Sequence, residues 1–69
     1  MKIWCVYGEK EKWSSGEVVF VHDTLKAFSS LIAAQSYLEQ MKVKYYHPAE
    51  SLRKYDFFDI EDVEFSDEK

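Results

Sequence analysis

The sequence predicts an α+β fold in which one main helix packs on a three-stranded antiparallel sheet, in the order β-β-α-(short α)-β. Three observations support it. Two runs rich in β-branched and aromatic residues open the chain, one apolar stripe with helical spacing follows, and a third strand-like run closes it. With 69 residues the chain forms a single domain over 1–69, in which 66–69 are expected to fray.

The first two strands are predicted to form a hairpin. Residues 2–7, Lys-Ile-Trp-Cys-Val-Tyr, read as strand one, and Gly8 ends the run. A polar loop is expected over 9–16, followed by strand two over 17–22. Because only this loop joins the two strands, an antiparallel pair is the simplest arrangement.

A helix is predicted over 31–41, and its start has two alternatives. We favour a start near Ser29, with Ser29 or Ser30 as the cap, so that 24–28 extends strand two or forms a connector. The alternative is a start near Thr24. The residues that recur at helical spacing are Leu31, Ala34, Leu38 and Met41.

The C-terminal third is predicted to contain a short helix and a third strand. Pro48 favours a boundary and then a short helix over 49–54. The closing strand, over 56–65, has two apolar pairs in opposite phase. We therefore expect a β-bulge near Glu61 and Asp62, without which one pair would face water. The pairs are Phe58 with Ile60, and Val63 with Phe65.

Both faces of the predicted hairpin are apolar, and one helix can cover only one of them. Trp4 and Val6 share one face, whereas Cys5 and Tyr7 lie on the other. The uncovered face either forms a homodimer interface or is covered by 43–55. The sequence leaves these two alternatives open.

The charge distribution favours a basic protein as partner. Residues 1–55 carry eight basic and six acidic residues, whereas residues 56–69 carry one lysine and seven carboxylates. A protein that binds duplex nucleic acid usually shows the reverse, a basic surface, so nucleic acid is the less favoured partner. Carboxylates held along a strand can match a basic partner, although they also keep an edge strand soluble. The predicted acidic contacts are Asp59, Glu61, Asp62 and Glu64.

Trp13 is the predicted aromatic contact with a partner. A tryptophan in a polar loop is either folded back on the sheet, which we favour, or exposed as an interface anchor. A second hypothesis is a patch for single-stranded nucleic acid, in which cations alternate with aromatic rings. Its residues would be Lys42, Lys44, Tyr45, Tyr46, Arg53 and Lys54.

The sequence argues against an enzyme, a metal centre or a cofactor. The strand carboxylates line a surface instead of facing each other across a cleft. The two glycines cannot build a phosphate-binding loop, and His22 has no evident co-ligands. The lone Cys5, expected to be buried, is typical of a reduced cytoplasmic protein. No run of apolar residues is long enough to span a membrane.

Three segments resemble small uncharacterised bacterial and bacteriophage proteins. They are Ile3-Trp4-Cys5-Val6-Tyr7-Gly8-Glu9, the stretch from Phe28 to Leu38, and the stretch from Tyr55 to Phe65, which includes Ile60-Glu61-Asp62-Val63-Glu64. The resemblance implies a β-β-α-β fold and a phage or prophage origin, and it implies no catalytic residue. The leading hypothesis is a non-enzymatic phage accessory protein that binds and inhibits or redirects a host protein in the host cytoplasm. A structural, oligomer-forming subunit is a further alternative.

Overall fold

The computed structural model describes residues 1–64 and confirms the α+β fold, with a three-stranded antiparallel sheet and one packed helix. The sheet order is β2-β1-β3, so β1 is the central strand. The elements are β1 Lys2–Ser14, β2 Glu17–Phe28, α1 Leu31–Lys44, a 3-10 helix Glu50–Leu52, and β3 Phe57–Glu64.

The hairpin is much longer than the sequence predicted, and the loop over 9–16 is wrong. Strand pairing continues to Ser14 opposite Glu17, which leaves only Ser15 and Gly16 in the turn. Both turn residues have positive φ, 52° and 81°. A two-residue turn of this hand matches the twist of paired strands, so the ladder can run to the tip.

The sheet contains one bulge, and it is not where the sequence placed it. β3 pairs with β1 in continuous register, so the bulge predicted near Glu61 is absent from the described part of β3. The irregularity lies instead between β1 and β2, next to Val6. Val63 therefore faces away from the helix, because nothing resets the alternation. Phe65 and 66–69, including their predicted strand end and fraying, lie outside the described residues.

The helix start near Ser29 is confirmed, and the start near Thr24 is wrong. The Ser30 hydroxyl accepts a hydrogen bond from the Ala33 N–H at 3.3 Å, which satisfies one donor of the first turn. Residues 24–28 extend β2, as the favoured alternative had them. The short helix expected over 49–54 is a single 3-10 turn.

The core lies between the sheet and α1. Val6 and Ala34 are fully buried, and the helix residue Met41 is also buried. Tyr55 packs over Gly8, where an added Cβ would lie 2.7 Å from the ring. The chain after the helix therefore packs on the helix side of the sheet, and the alternative in which 43–55 covers the other face is wrong.

Candidate functional site

One face of the sheet has no second layer. We call it the open face: the odd-numbered residues of β1 from Ile3 to Trp13, with the residues that pair with them on β2 and β3. Paired residues of an antiparallel sheet project to the same side, so the register assigns each side chain to a face. Cys5 lies here and is half-buried, not buried as expected, because no element among residues 1–64 packs over it.

Charge is segregated between the two faces of the sheet. Within residues 1–64 the open face carries no lysine or arginine, whereas the strand lysines all project to the helix side with an equal number of carboxylates. The lysines are Lys2, Lys10, Lys12 and Lys26, and the carboxylates beside them are Glu17, Asp23, Asp62 and Glu64. The carboxylates of the open face are Glu9, Glu11, Asp59 and Glu61.

Tyr7 lies at the centre of the open face, where nearby carboxylates affect the pKa of its hydroxyl. Its ring stacks on His22, with ring centroids 4.4 Å apart, and His22 Nδ1 lies 2.6 Å from Glu9 Oε2. Partial burial raises the pKa of the Tyr7 hydroxyl, and the negative charges of Asp59, Glu9 and Glu61 raise that pKa further. The carboxylates of two different strands therefore act on one point of the face.

The end of the hairpin extends the open face as an exposed aromatic ribbon. Trp13 is 73% exposed, so its expected folding back onto the sheet is wrong. It pairs with Val18, and Phe20, 70% exposed, lies on the same side. Large exposed apolar side chains grouped on one face are typical of a contact surface.

The structure divides the predicted acidic contacts between the two faces. Asp59 and Glu61 lie on the open face, whereas Asp62 and Glu64 lie on the helix side. There the Asp62 carboxylate is 3.4 Å from the Lys2 ammonium group, and the Glu64 carboxylate is 3.4 Å from the N-terminal amine. Only the first two carboxylates therefore contribute to the negative open face.

Sequence reasoning missed two carboxylates of the open face, Glu9 and Glu11. Both were assigned to a loop, because residues 9–12 are all charged. The missed signal is the strict alternation Glu-Lys-Glu-Lys, which has the period of a strand and places both glutamates on one side.

The predicted basic and aromatic residues converge beyond the end of α1. A groove of about 380 Å³, which we call the basic groove, is lined by Lys42, Tyr45, Tyr46, Arg53, Tyr55, Asp56, Phe57 and Phe58. Two further cations flank it over the Tyr45 ring: Lys44 Nζ lies 5.4 Å and Lys54 Nζ 5.7 Å from its centroid. All six residues of the predicted patch are thus grouped around one groove.

The floor of the basic groove is an aromatic cluster held by a polar contact. Tyr45, Tyr55 and Phe58 have ring centroids 5.3 to 5.9 Å apart. The Tyr55 hydroxyl donates to Asp23 at 2.7 Å. This hydrogen bond, together with burial and the negative charge of Asp23, raises the pKa of Tyr55 to about 12. The Tyr55 hydroxyl therefore keeps its proton, and its hydrogen bond to Asp23, well above the ordinary tyrosine pKa of 10.0.

The rim of the basic groove is fixed by hydrogen bonds to the backbone. Arg53 Nε donates to the His47 carbonyl at 2.6 Å, and His47 Nδ1 accepts from the Ala49 N–H at 3.0 Å. Lys10 reaches across from β1 and donates to the Arg53 carbonyl. These contacts hold the Arg53 guanidinium at the groove without using its two Nη groups.

No group of three or more histidine, cysteine or acidic side chains within residues 1–64 is arranged to hold a metal ion. In the same part of the chain, no helix is long and apolar enough to cross a membrane. Comparison with known proteins found no matching family model, no matching curated protein and no matching solved structure. The phage origin implied by the resemblance stays a prediction.

Proposed function

We propose that this protein is a non-enzymatic protein-binding module whose open face receives a basic partner protein. One observation carries the proposal. The open face combines apolar side chains with four carboxylates and no lysine or arginine, and no element among residues 1–64 covers it. A sheet face of this kind is unusual for an isolated domain, because monomers rarely leave large apolar areas in contact with water.

The charge on the open face favours a basic partner over a second copy of the chain. Two open faces packed together would bring Glu9, Asp59 and Glu61 against an equally negative face that carries no lysine or arginine among residues 1–64. Like charges directly opposite each other destabilise an interface, whereas a lysine-rich or arginine-rich surface would pair with them. The negative potential would also speed the encounter with such a partner.

The aromatic ribbon supplies the remaining part of the contact. Trp13 and Phe20 lie on the same side as the carboxylates, so one partner surface can touch both. Burial of a tryptophan at the edge of a charged face is a common source of binding energy. We therefore propose that the carboxylates accelerate the encounter with the partner, and that Trp13 and Phe20 of the aromatic ribbon contribute most of the affinity.

The biological setting that fits this proposal is a phage accessory protein acting on a host protein in the cytoplasm, as the resemblance implies. Occupation of a basic surface by fixed carboxylates would inhibit or redirect a host protein that uses that surface for phosphates. No cofactor and no bond-making step is needed for this function.

The matched pairs of carboxylates on β3 provide the test. Asp59→Asn with Glu61→Gln removes two charges from the open face, whereas Asp62→Asn with Glu64→Gln removes two from the helix side of the same strand. Each double variant should be compared with the wild type in binding to a labelled peptide of alternating arginine and valine. A pull-down from lysate would then identify the proteins whose capture follows the same pattern.

We expect the open-face variant to weaken peptide binding about fivefold to tenfold at low salt, mainly through the association rate. The helix-side variant should bind within about twofold of the wild type, because Asp62 and Glu64 lie on the face opposite the proposed contact and their exposed ion pairs contribute little to stability. An equal loss of peptide affinity in both variants would show that only the net charge of the protein matters, and it would contradict the proposal. Light scattering on the eluted peak of a sizing column covers the alternative, because a stable dimer of the wild type would favour a structural, oligomer-forming subunit.

A further inference from the structure

We propose that the basic groove binds one nucleotide unit of single-stranded nucleic acid, with a base stacked on Tyr46 and the phosphate among the surrounding cations. The site lies beyond the end of α1, and Phe57 is its one lining residue that belongs to the open face. The inference does not depend on the function proposed for the open face. The concentration of carboxylates in residues 56–69 made nucleic acid the less favoured partner, but a charge count along the chain does not show on which surface each residue lies. Around the groove the fold brings together cations from the end of α1 and from residues 53–54.

Three of the cations around the basic groove are available to an anion. Lys42 Nζ lies 3.2 Å from Glu39, whereas within residues 1–64 no carboxylate lies within 4.0 Å of Lys44, Arg53 or Lys54. Cations in the last turn of a helix stabilise its dipole, which accounts for Lys42 and Lys44. Arg53 and Lys54 lie outside the helix, so the dipole gives no reason for their position.

Tyr46 is the stacking surface of the proposed site. It is 69% exposed, although the neighbouring ring of Tyr55 is buried. The Arg53 guanidinium lies over one face of the Tyr46 ring, 6.0 Å from its centroid, so a base would stack on the opposite face. Aromatic rings combined with cations are the usual means by which proteins hold single strands without reading their sequence.

The volume of the basic groove is suitable for a single nucleotide. Its volume of about 380 Å³ is near the lower end of the range for small-molecule sites, about 300–1,000 Å³. One carboxylate, that of Asp56, also lines the groove, and it accepts a hydrogen bond from the Glu11 N–H at 3.4 Å. A duplex needs an extended basic surface, which is not found among residues 1–64, so we expect selectivity for single strands.

Fluorescence anisotropy with a labelled oligothymidylate, measured over a range of salt concentrations, tests the site. Lys44→Gln with Lys54→Gln removes two groove cations, and Lys2→Gln with Lys26→Gln is the matched control. Lys26 suits this comparison because it also lies over two rings, 5.4 and 5.6 Å from their centroids. Tyr46→Ala removes the stacking surface, whereas Tyr46→Phe keeps it.

We expect the groove variant to bind about tenfold more weakly at low salt. The slope of log affinity against log salt concentration should become shallower by roughly 0.7 for each phosphate that is no longer neutralised. The lysine control and Tyr46→Phe should bind within about twofold of the wild type, and Tyr46→Ala at least about fivefold more weakly. Circular dichroism checks that each variant is folded.

Two further ligands separate related possibilities. Binding of thymidine monophosphate as tight as that of the oligomer would identify a free nucleotide as the ligand, whereas much weaker binding supports a strand.

No binding of the wild type to the oligomer at low salt, or equal loss in the lysine control, would overturn the inference. Equally tight binding of a duplex would also overturn it. The Asp59→Asn and Glu61→Gln variant should bind the oligomer at least as well as the wild type, which keeps the two sites experimentally distinct.

Discussion

Replacing Gly8 with alanine should destabilise the fold, because the close approach of Tyr55 leaves no room for a methyl group. An added Cβ would lie 2.7 Å from Tyr55 Cγ, 2.8 Å from Tyr55 Cδ1 and 3.1 Å from Phe58 Cε1. The Tyr55 ring cannot easily move away. Its hydroxyl is bound to Asp23, and the edges of Tyr45 and Phe58 enclose it.

The magnitude follows from two opposing terms. Forcing an extra methyl group into a packed site typically costs about 1–3 kcal/mol. Replacing a strand glycine with alanine returns about 0.5–1 kcal/mol, since the unfolded chain loses less freedom on folding. We therefore expect a net loss of about 1.5 kcal/mol in the free energy of unfolding. For a domain of this size that lowers Tm by about 6–12 °C.

Urea denaturation followed by circular dichroism measures this loss, and a double-mutant cycle identifies its cause. Tyr55→Leu removes the ring that the new Cβ would meet. In that background Gly8→Ala should cost less than about 0.5 kcal/mol, so that the two substitutions are not additive. A Gly8→Ala protein as stable as the wild type, or the same cost in both backgrounds, would refute the reasoning from the contact.

Three further predictions concern the helix cap, the aromatic cluster and the ribbon. Ser30→Ala removes the bond to the Ala33 N–H and should lower the free energy of unfolding by about 1 kcal/mol in urea titrations, with an unchanged m-value. Because the folded-state pKa of Tyr55 is raised to about 12 from 10.0, its stabilising contribution is complete below pH 10 and is lost as the pH rises through about 12. Tyr55→Phe should flatten that alkaline loss in denaturation curves recorded against pH, and an unchanged loss would contradict the role of Asp23. Trp13→Ala should leave Tm nearly unchanged, since the side chain is exposed, yet weaken peptide capture by the open face about tenfold or more; a large drop in Tm would show that the ribbon is structural.

Local patterns were sufficient for the elements and their order. The run of β-branched and aromatic residues around Val6 is typical of a strand, and the helical spacing of Ala34 and Met41 arises from burial on one side of the helix. The hairpin length was mispredicted, because the stretch from Glu9 to Lys12 has no apolar residue and is held as a strand by its partner β2. Strand propensity depends on such neighbours, so local composition under-predicts a charged strand.

The bulge and the site show the same dependence on tertiary structure. A bulge was expected because Val63 was assumed to need burial against the helix, but the open face accommodates it beside Ile3. The four predicted acidic contacts are divided between two faces for a related reason. Which carboxylates share a face depends on register and on strand order, and neither can be read from one strand.

The sequence by itself determined the two-layer α+β fold, a helix start near Ser29 with Ser29 or Ser30 as the cap, and the presence of a patch of basic and aromatic residues. Each of these follows from residue spacing along a short segment. Only the tertiary structure decided that Glu9 and Glu11 join Asp59 and Glu61 on a face without lysine. It alone also decided that cations from the helix end and from the segment after it surround one groove. The physical reason is that an electrostatic surface is assembled from distant strands, and their pairing depends on energies that no local segment contains.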